Sequence, residues 1–169
     1  MSQLGQLLTE QANPASAGLD TLPSLGIVQV MHRADAEVAG AVGTELARIA
    51  AAVDAIVARL GGEAALARAV EASEDDPALG ARDLLARGFT GADFLVGIAA
   101  SGRTPYVLGA VARARELGAE TAGISCTPDS ALSRAVHYPI EPKPGPEVIA
   151  GSTRLRAGTA TKMVLNMLS

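Results

Sequence analysis

The 169-residue, 17.1 kDa chain is 49% hydrophobic and 19% charged, which excludes a disordered tail and suits one domain, or one domain with a helical arm. Aromatics are only 2%, against 34 Ala and 18 Gly. That balance favours close-packed helices and glycine turns over an all-β sandwich, and leaves few rings on which single-stranded nucleic acid would stack. A net charge of −4 and a pI near 5.2 argue against a general binder of nucleic-acid backbone, while a local anion site stays open.

Residues 1–22 are polar, contain Asn13-Pro14, and read as an extended lead-in. Pro23 opens a short helix through Met31. Asp35 is expected to cap a long helix with apolar residues at Val38, Val42, Leu46, Ile49, Val53, Ile56 and Leu60, ended by Gly61-Gly62. A third helix is expected over 63–73. Asp76-Pro77, a cap followed by a first-turn proline, opens a fourth through Leu85. The pattern then changes. FLVGIAA and ETAGISC read as buried parallel strands, and HYPIEP as a short third strand. Between them lie a helix from Pro105 through Leu117, closed by Gly118, and a short helix within 127–137. A last helix is expected from Ser152 to Leu168. Strands alternating with helices imply right-handed crossovers and a parallel sheet covered by helices.

Four features bear on chemistry. Ser101, Gly102, Arg103 and Thr104 fall between a strand end and a helix start, where small residues, two hydroxyls and first-turn amides suit an anion. The same local pattern fits a plain strand-to-helix turn, and it is neither a Walker loop nor GxGxxG. EASEDD gathers Glu71, Glu74, Asp75 and Asp76, which fit a general base beside a phosphate or a solvated helix end. The late segment GPEVIAGSTRLRAGTATK holds Glu147, Ser152, Thr153 and Arg154. Its Ser152 suits a helix cap, with the following amides facing a ligand or simply closing an amphipathic helix. The lone Cys126 permits no intramolecular disulfide or Cys-based zinc site and reads as core. His32 and His137 lack metal-ligand spacing, so no metal site is expected. No signal peptide and no apolar window near 18 residues is apparent, so a cytoplasmic chain without a membrane span is expected.

LTEQANPASAGLDTL, AVEASEDDP, VGIAASGRTPYVLGA, GISCTP and GPEVIAGSTRLRAGTATKMVLNML together resemble the N-acetylmuramic acid 6-phosphate etherases, sugar-isomerase (SIS) domain proteins of peptidoglycan recycling. The resemblance runs nearly end to end. It implies an α/β fold, a three-layer SIS-type parallel sheet flanked by helices, here reduced to about three strands, with an N-terminal helical arm. Residues 1–60 would form the lead-in and arm, and 61–169 a partial SIS domain. It implies a homodimeric cytoplasmic lyase without metal or organic cofactor. A base removes the C2 proton, D-lactate leaves from C3, and water adds to give N-acetylglucosamine 6-phosphate. Ser101, Gly102 and Thr104 inherit the phosphate loop, with Arg103 in the same loop as a substrate contact. Glu74 inherits the C2 base, and Glu147, Ser152 and Thr153 the late substrate-facing loop.

The sequence departs from the family in two places. Leu60 runs straight into GGEA, omitting a strand–helix–strand unit on the order of thirty residues or more, together with the family's general acid. The chain also stops at NMLS, where the family continues into a helical region. Loss of a proton donor to the leaving oxygen typically costs about 10²–10⁴-fold, so weak etherase activity is one expectation. A non-catalytic phosphosugar-binding module is the alternative from a different class. A truncated product with little independent function is the third.

Overall fold

The computed structural model describes residues 11–58, 74–150 and 153–168. The expected helix over 63–73, the Gly61-Gly62 stop, Glu71 and Ser152 lie outside them. Three short runs of apolar and small residues form the sheet: β1 (Phe94–Ile98), β2 (Glu120–Ile124) and β3 (Tyr138–Ile140). They are parallel, in the order β1-β2-β3, with Gly97 beside Gly123 in register. A Cβ on either glycine would press at 3.0–3.2 Å on Val107, Val111, Leu132 or Val136, so this glycine pair lets the covering helices approach closely.

The helices are α1 (Ser24–Ala36), α2 (Val38–Gly43), α3 (Leu46–Val57), α4 (Pro77–Ala86), α5 (Pro105–Glu116), α6 (Ala131–Ala135) and α7 (Arg156–Leu168). On one face, Val38, Val42, Ile49 and Ala52 meet Ala122, Ile124 and Ile140 of the sheet and Ala157, Ala160 and Val164 of α7. On the other, Val111 of α5 and Leu132 of α6 pack with Ala99 and Val136. Helix α4 packs outside α5, around Leu84 and Ala114. The sheet is therefore the middle of three layers. Among the described residues, no helix is long and apolar enough to cross a membrane.

Three N-terminal expectations are corrected. Asp35 caps nothing. Helical backbone runs from α1 through Glu37 at φ −79°, so no free amide lies ahead of the Asp35 carboxylate. The expected long helix breaks at Thr44–Glu45, and Leu46 is exposed. The Glu45 carboxylate leaves the helix surface to accept the Glu141 amide at 2.9 Å, a tertiary use that periodicity does not report. The lead-in, where described, is not extended either. It makes two 3-10 turns, Pro14–Ser16 and Leu19–Thr21, and buried Asn13 donates from Nδ2 to the Pro146 carbonyl at 2.9 Å.

Candidate functional site

The loop after β1 is set by one glycine. Gly102 has φ +65°, and a Cβ there would lie 2.2 Å from Ser130 Oγ and 2.3 Å from Ser130 Cβ. Both conditions exclude a side chain. The Gly102 amide donates to the Ala99 carbonyl at 2.8 Å, and its carbonyl accepts from the Leu132 amide of α6 at 2.9 Å. Ser101 and Thr104 are half-buried and Arg103 is exposed. The Arg103 amide reaches Ser101 Oγ at 3.4 Å, while the Thr104 side chain makes no capping bond to α5. Pro105 opens α5 and has no N–H to offer.

Glu74 reaches this loop through helix packing. Asp76 caps α4, its Oδ1 accepting the Ala78 and Leu79 amides at 2.9 and 3.2 Å. Helices α4 and α5 cross with backbones nearly touching. A Cβ on Gly80 would lie 2.0 Å from the Tyr106 carbonyl oxygen, and one on Gly109 would lie 1.9 Å from that of Pro77. The Tyr106 hydroxyl adds a bond to Asp83 at 3.1 Å. Burial, then that bond, raises the Tyr106 phenol above its ordinary 10.0. The chain entering α4 therefore lies against the start of α5, where the Glu74 carbonyl accepts the Tyr106 amide at 3.0 Å. The Glu74 side chain is exposed, as are Asp75 and Asp76.

The late loop is built around a buried carboxylate. Glu147 is 1% exposed, and its two oxygens accept the Arg156 and Ala157 amides at 2.8 and 3.1 Å. Glu147 thus caps α7 from nine residues upstream, a role expected of Ser152, and α7 begins four residues later than the sequence suggests. Arg156, also buried, pairs with Glu37 at 2.6 Å and donates to the Pro146 carbonyl at 3.5 Å. Thr153 is half-buried just before the helix, and Arg154 is exposed.

Cys126 joins the two regions. Its amide donates to the Ala100 carbonyl at 2.9 Å, and its thiol approaches the Ala157 carbonyl at 3.8 Å. The Ser101–Thr104 loop and the start of α7 therefore flank the same strand end. Burial, then the nearby Glu147 charge, pushes the Cys126 thiol up to about 12, which suits core packing and not nucleophilic work. His137 is structural too: its Nδ1 accepts the Thr121 amide at 3.2 Å. Sequence reasoning missed the hydroxyl cluster behind Gly102. Ser125 Oγ lies 3.1 Å from Ser130 Oγ, which lies 2.8 Å from Ser133 Oγ. It also missed Glu45 and Glu141. Only the turn-forming Pro128-Asp129-Ser130 string marks this cluster locally.

Residues 39–115 match the family model for the glucokinase regulatory protein N-terminal SIS domain. The N-acetylmuramic acid 6-phosphate etherase of Rhodopirellula baltica is 42% identical, over 100% of this chain and 70% of that protein. Its counterpart from Serratia proteamaculans is 42% identical over 98% and 70%, and that from Streptomyces coelicolor 41% over 99% and 67%. The alignment to the Rhodopirellula protein spans 210 positions against 169 residues here, so about 41 positions meet no residue of this chain. A solved Listeria monocytogenes chain, described as a candidate sugar-phosphate isomerase, superposes with a TM-score of 0.51 at 15% identity, over 87% of this chain and 91% of that one. That likeness concerns the fold alone.

Proposed function

The chain belongs to the N-acetylmuramic acid 6-phosphate etherase family, and from that membership we propose that it binds a sugar 6-phosphate at the Ser101–Thr104 loop and cleaves the D-lactyl ether of N-acetylmuramic acid 6-phosphate. Ser101, Gly102 and Thr104 receive the phosphate at the start of α5, with Arg103 adding charge at the rim. Glu74 removes the C2 proton, D-lactate leaves from C3, and water adds to give N-acetylglucosamine 6-phosphate. Ser152 and Thr153 line the late side of the sugar site, and Glu147 holds that side through the α7 amides. Residues 61–169 are the partial SIS domain and 1–60 its lead-in and arm. The reaction runs in the cytoplasm, in a homodimer. Among the described residues β1 pairs on one side only, which supports a covering partner.

One observation carries this reading. The Glu74 backbone carbonyl is hydrogen-bonded to Tyr106, the second residue of α5, which supports reading Glu74 as a base beside the proposed phosphate loop. The alignment gap of about 41 positions favours a second reading, a phosphosugar-binding module that lacks the family's general acid. D-lactate release from N-acetylmuramic acid 6-phosphate, with calorimetric binding of N-acetylglucosamine 6-phosphate on the same sample, separates them. Lactate with binding supports the etherase. Binding alone supports the module. Neither signal sinks both.

A further inference from the structure

We propose that Glu141 is a positioning residue for the Ser101–Thr104 loop, acting through Asp129 and Ser130. The proposal rests on the reading of that loop as the phosphosugar cradle. Glu141 directly follows β3 and is 9% exposed. Its Oε1 accepts the Asp129 amide at 2.7 Å. Asp129 has φ +50°, the one positive φ at a non-glycine among the described residues. An L side chain persists in that region only where its surroundings hold it. Asp129 is held by the Glu141 carboxylate on its amide, and by the Arg134 guanidinium on its carbonyl and, at 3.2 Å, on its carboxylate.

The conformation matters because Ser130 comes next. Ser130 Oγ accepts the Ser133 amide at 3.1 Å and so caps α6, and it fills the space a Cβ on Gly102 would take. Two residues on, the Leu132 amide donates to the Gly102 carbonyl. Gly102 is thus gripped by a segment whose entry angle Glu141 sets. Glu141 is itself fixed from α3, since its amide donates to Glu45 Oε2 at 2.9 Å. Arg48 lies 3.0 Å from Glu45 and 3.6 Å from Glu141, offsetting two carboxylates that would otherwise repel. The path runs from α3 to the end of β3, to Asp129, to the start of α6, to the loop. None of its members ahead of the loop is assigned contact with substrate.

The test compares Glu141→Leu and Glu141→Gln in the full chain, well below their melting temperatures. Amide hydrogen exchange and calorimetric binding of N-acetylglucosamine 6-phosphate are read on each. Glutamine keeps an acceptor for the Asp129 amide and leucine does not. Leucine should speed exchange at Gly102, Asp129 and Leu132 and weaken binding about tenfold, while glutamine leaves exchange unchanged and binding within about threefold. A merely structural role would lower the melting temperature without moving the affinity of the folded fraction. Unchanged exchange at Gly102 and Leu132 in the leucine variant overturns the proposal, as does unchanged affinity or a glutamine variant as impaired as leucine. If the parent chain binds no phosphosugar, the cradle reading falls by itself, and the exchange arm still decides the Glu141 contact. If the leucine variant does not fold, Glu141→Asp, which keeps the charge and withdraws the oxygen by one methylene, should give the same pattern.

Discussion

Two helices, α5 and α7, start at the same end of the sheet, and their first turns are treated in opposite ways. The α7 amides are closed by a buried carboxylate: Glu147 takes two of them, and a charged arginine sits at the first helical position. The α5 end has no carboxylate on its first-turn amides: Pro105 offers no N–H, Thr104 gives no side-chain cap, and the Tyr106 amide bonds the neutral Glu74 carbonyl. A helix N-terminus attracts anions through its free amides and dipole. At α7 that attraction is spent on the chain's own carboxylate, which would repel a phosphate. At α5 one amide is spent on a neutral carbonyl, and no side-chain carboxylate offsets the dipole. The difference gives one helix end a structural role and supports the other as the proposed phosphate site.

The largest expected effect breaks the closed end. Glu147→Leu leaves two buried amides without acceptors, at about 1–3 kcal/mol each, and should cost about 3 kcal/mol in urea unfolding. A loss below about 0.5 kcal/mol would show that the α7 end is as open as the α5 end. Next comes the proposed base. Glu74→Gln should lower any D-lactate release about a hundredfold while calorimetric phosphosugar binding stays within a few-fold. Unchanged turnover would remove Glu74 from the chemistry. Gly109→Ala comes third. Its methyl would fall 1.9 Å from the Pro77 carbonyl and drive α4 from α5, costing about 2 kcal/mol in stability. It should also lower turnover without touching a site residue, because Glu74 is carried on that crossing.

A pH effect sharpens the same contrast. Cys126 lies beneath α7, and its thiol is raised from 9.0 to about 12 by burial and then by the Glu147 charge. A pKa raised on folding stabilises fully below the unfolded value and is lost as pH climbs above it. Stability should therefore fall from about pH 9 towards pH 12, at about 1.4 kcal/mol per pH unit from this group. Cys126→Ala should lack that part of the slope, read by urea unfolding across the range.

Much of the frame was legible in local pattern, because local pattern is what sets it. Asp76-Pro77 announces a cap and a first helical turn, and α4 begins there. FLVGI and ETAGI give strands because small and apolar residues suit a sheet covered by helices, but only ETAGI is buried as expected; FLVGI, at the sheet edge, is mostly half-buried and its Ile98 is exposed. Gly102 was legible as part of a loop, but the reason it must be glycine is Ser130, twenty-eight residues away. Glu147 stood out by resemblance as a substrate contact, and its use as the α7 cap needs a fold that returns it to Arg156. Glu45 and Glu141 are 96 residues apart, with no spacing to betray them, and their contact falls where the long helix that periodicity predicts is interrupted. What escaped was the set of polar contacts between distant segments. Those contacts hold the loops, while the apolar rhythm sets only the elements.

The smallest expected effect tests the open end most directly. Thr104 stands at the N-terminus of α5, half-buried, with a hydroxyl that caps nothing in its own helix. Valine matches its shape and removes only the hydroxyl, so folding loses little. If that hydroxyl is kept for a phosphate oxygen, Thr104→Val should weaken N-acetylglucosamine 6-phosphate by about fivefold, the worth of about 1 kcal/mol for one hydrogen bond, with an unchanged urea midpoint. The matching change at the closed end, Thr153→Val, should move affinity less, because the amides beyond it are already held by Glu147. Equal losses at the two threonines would place the phosphate between the helix ends and dissolve the division of labour drawn from their caps.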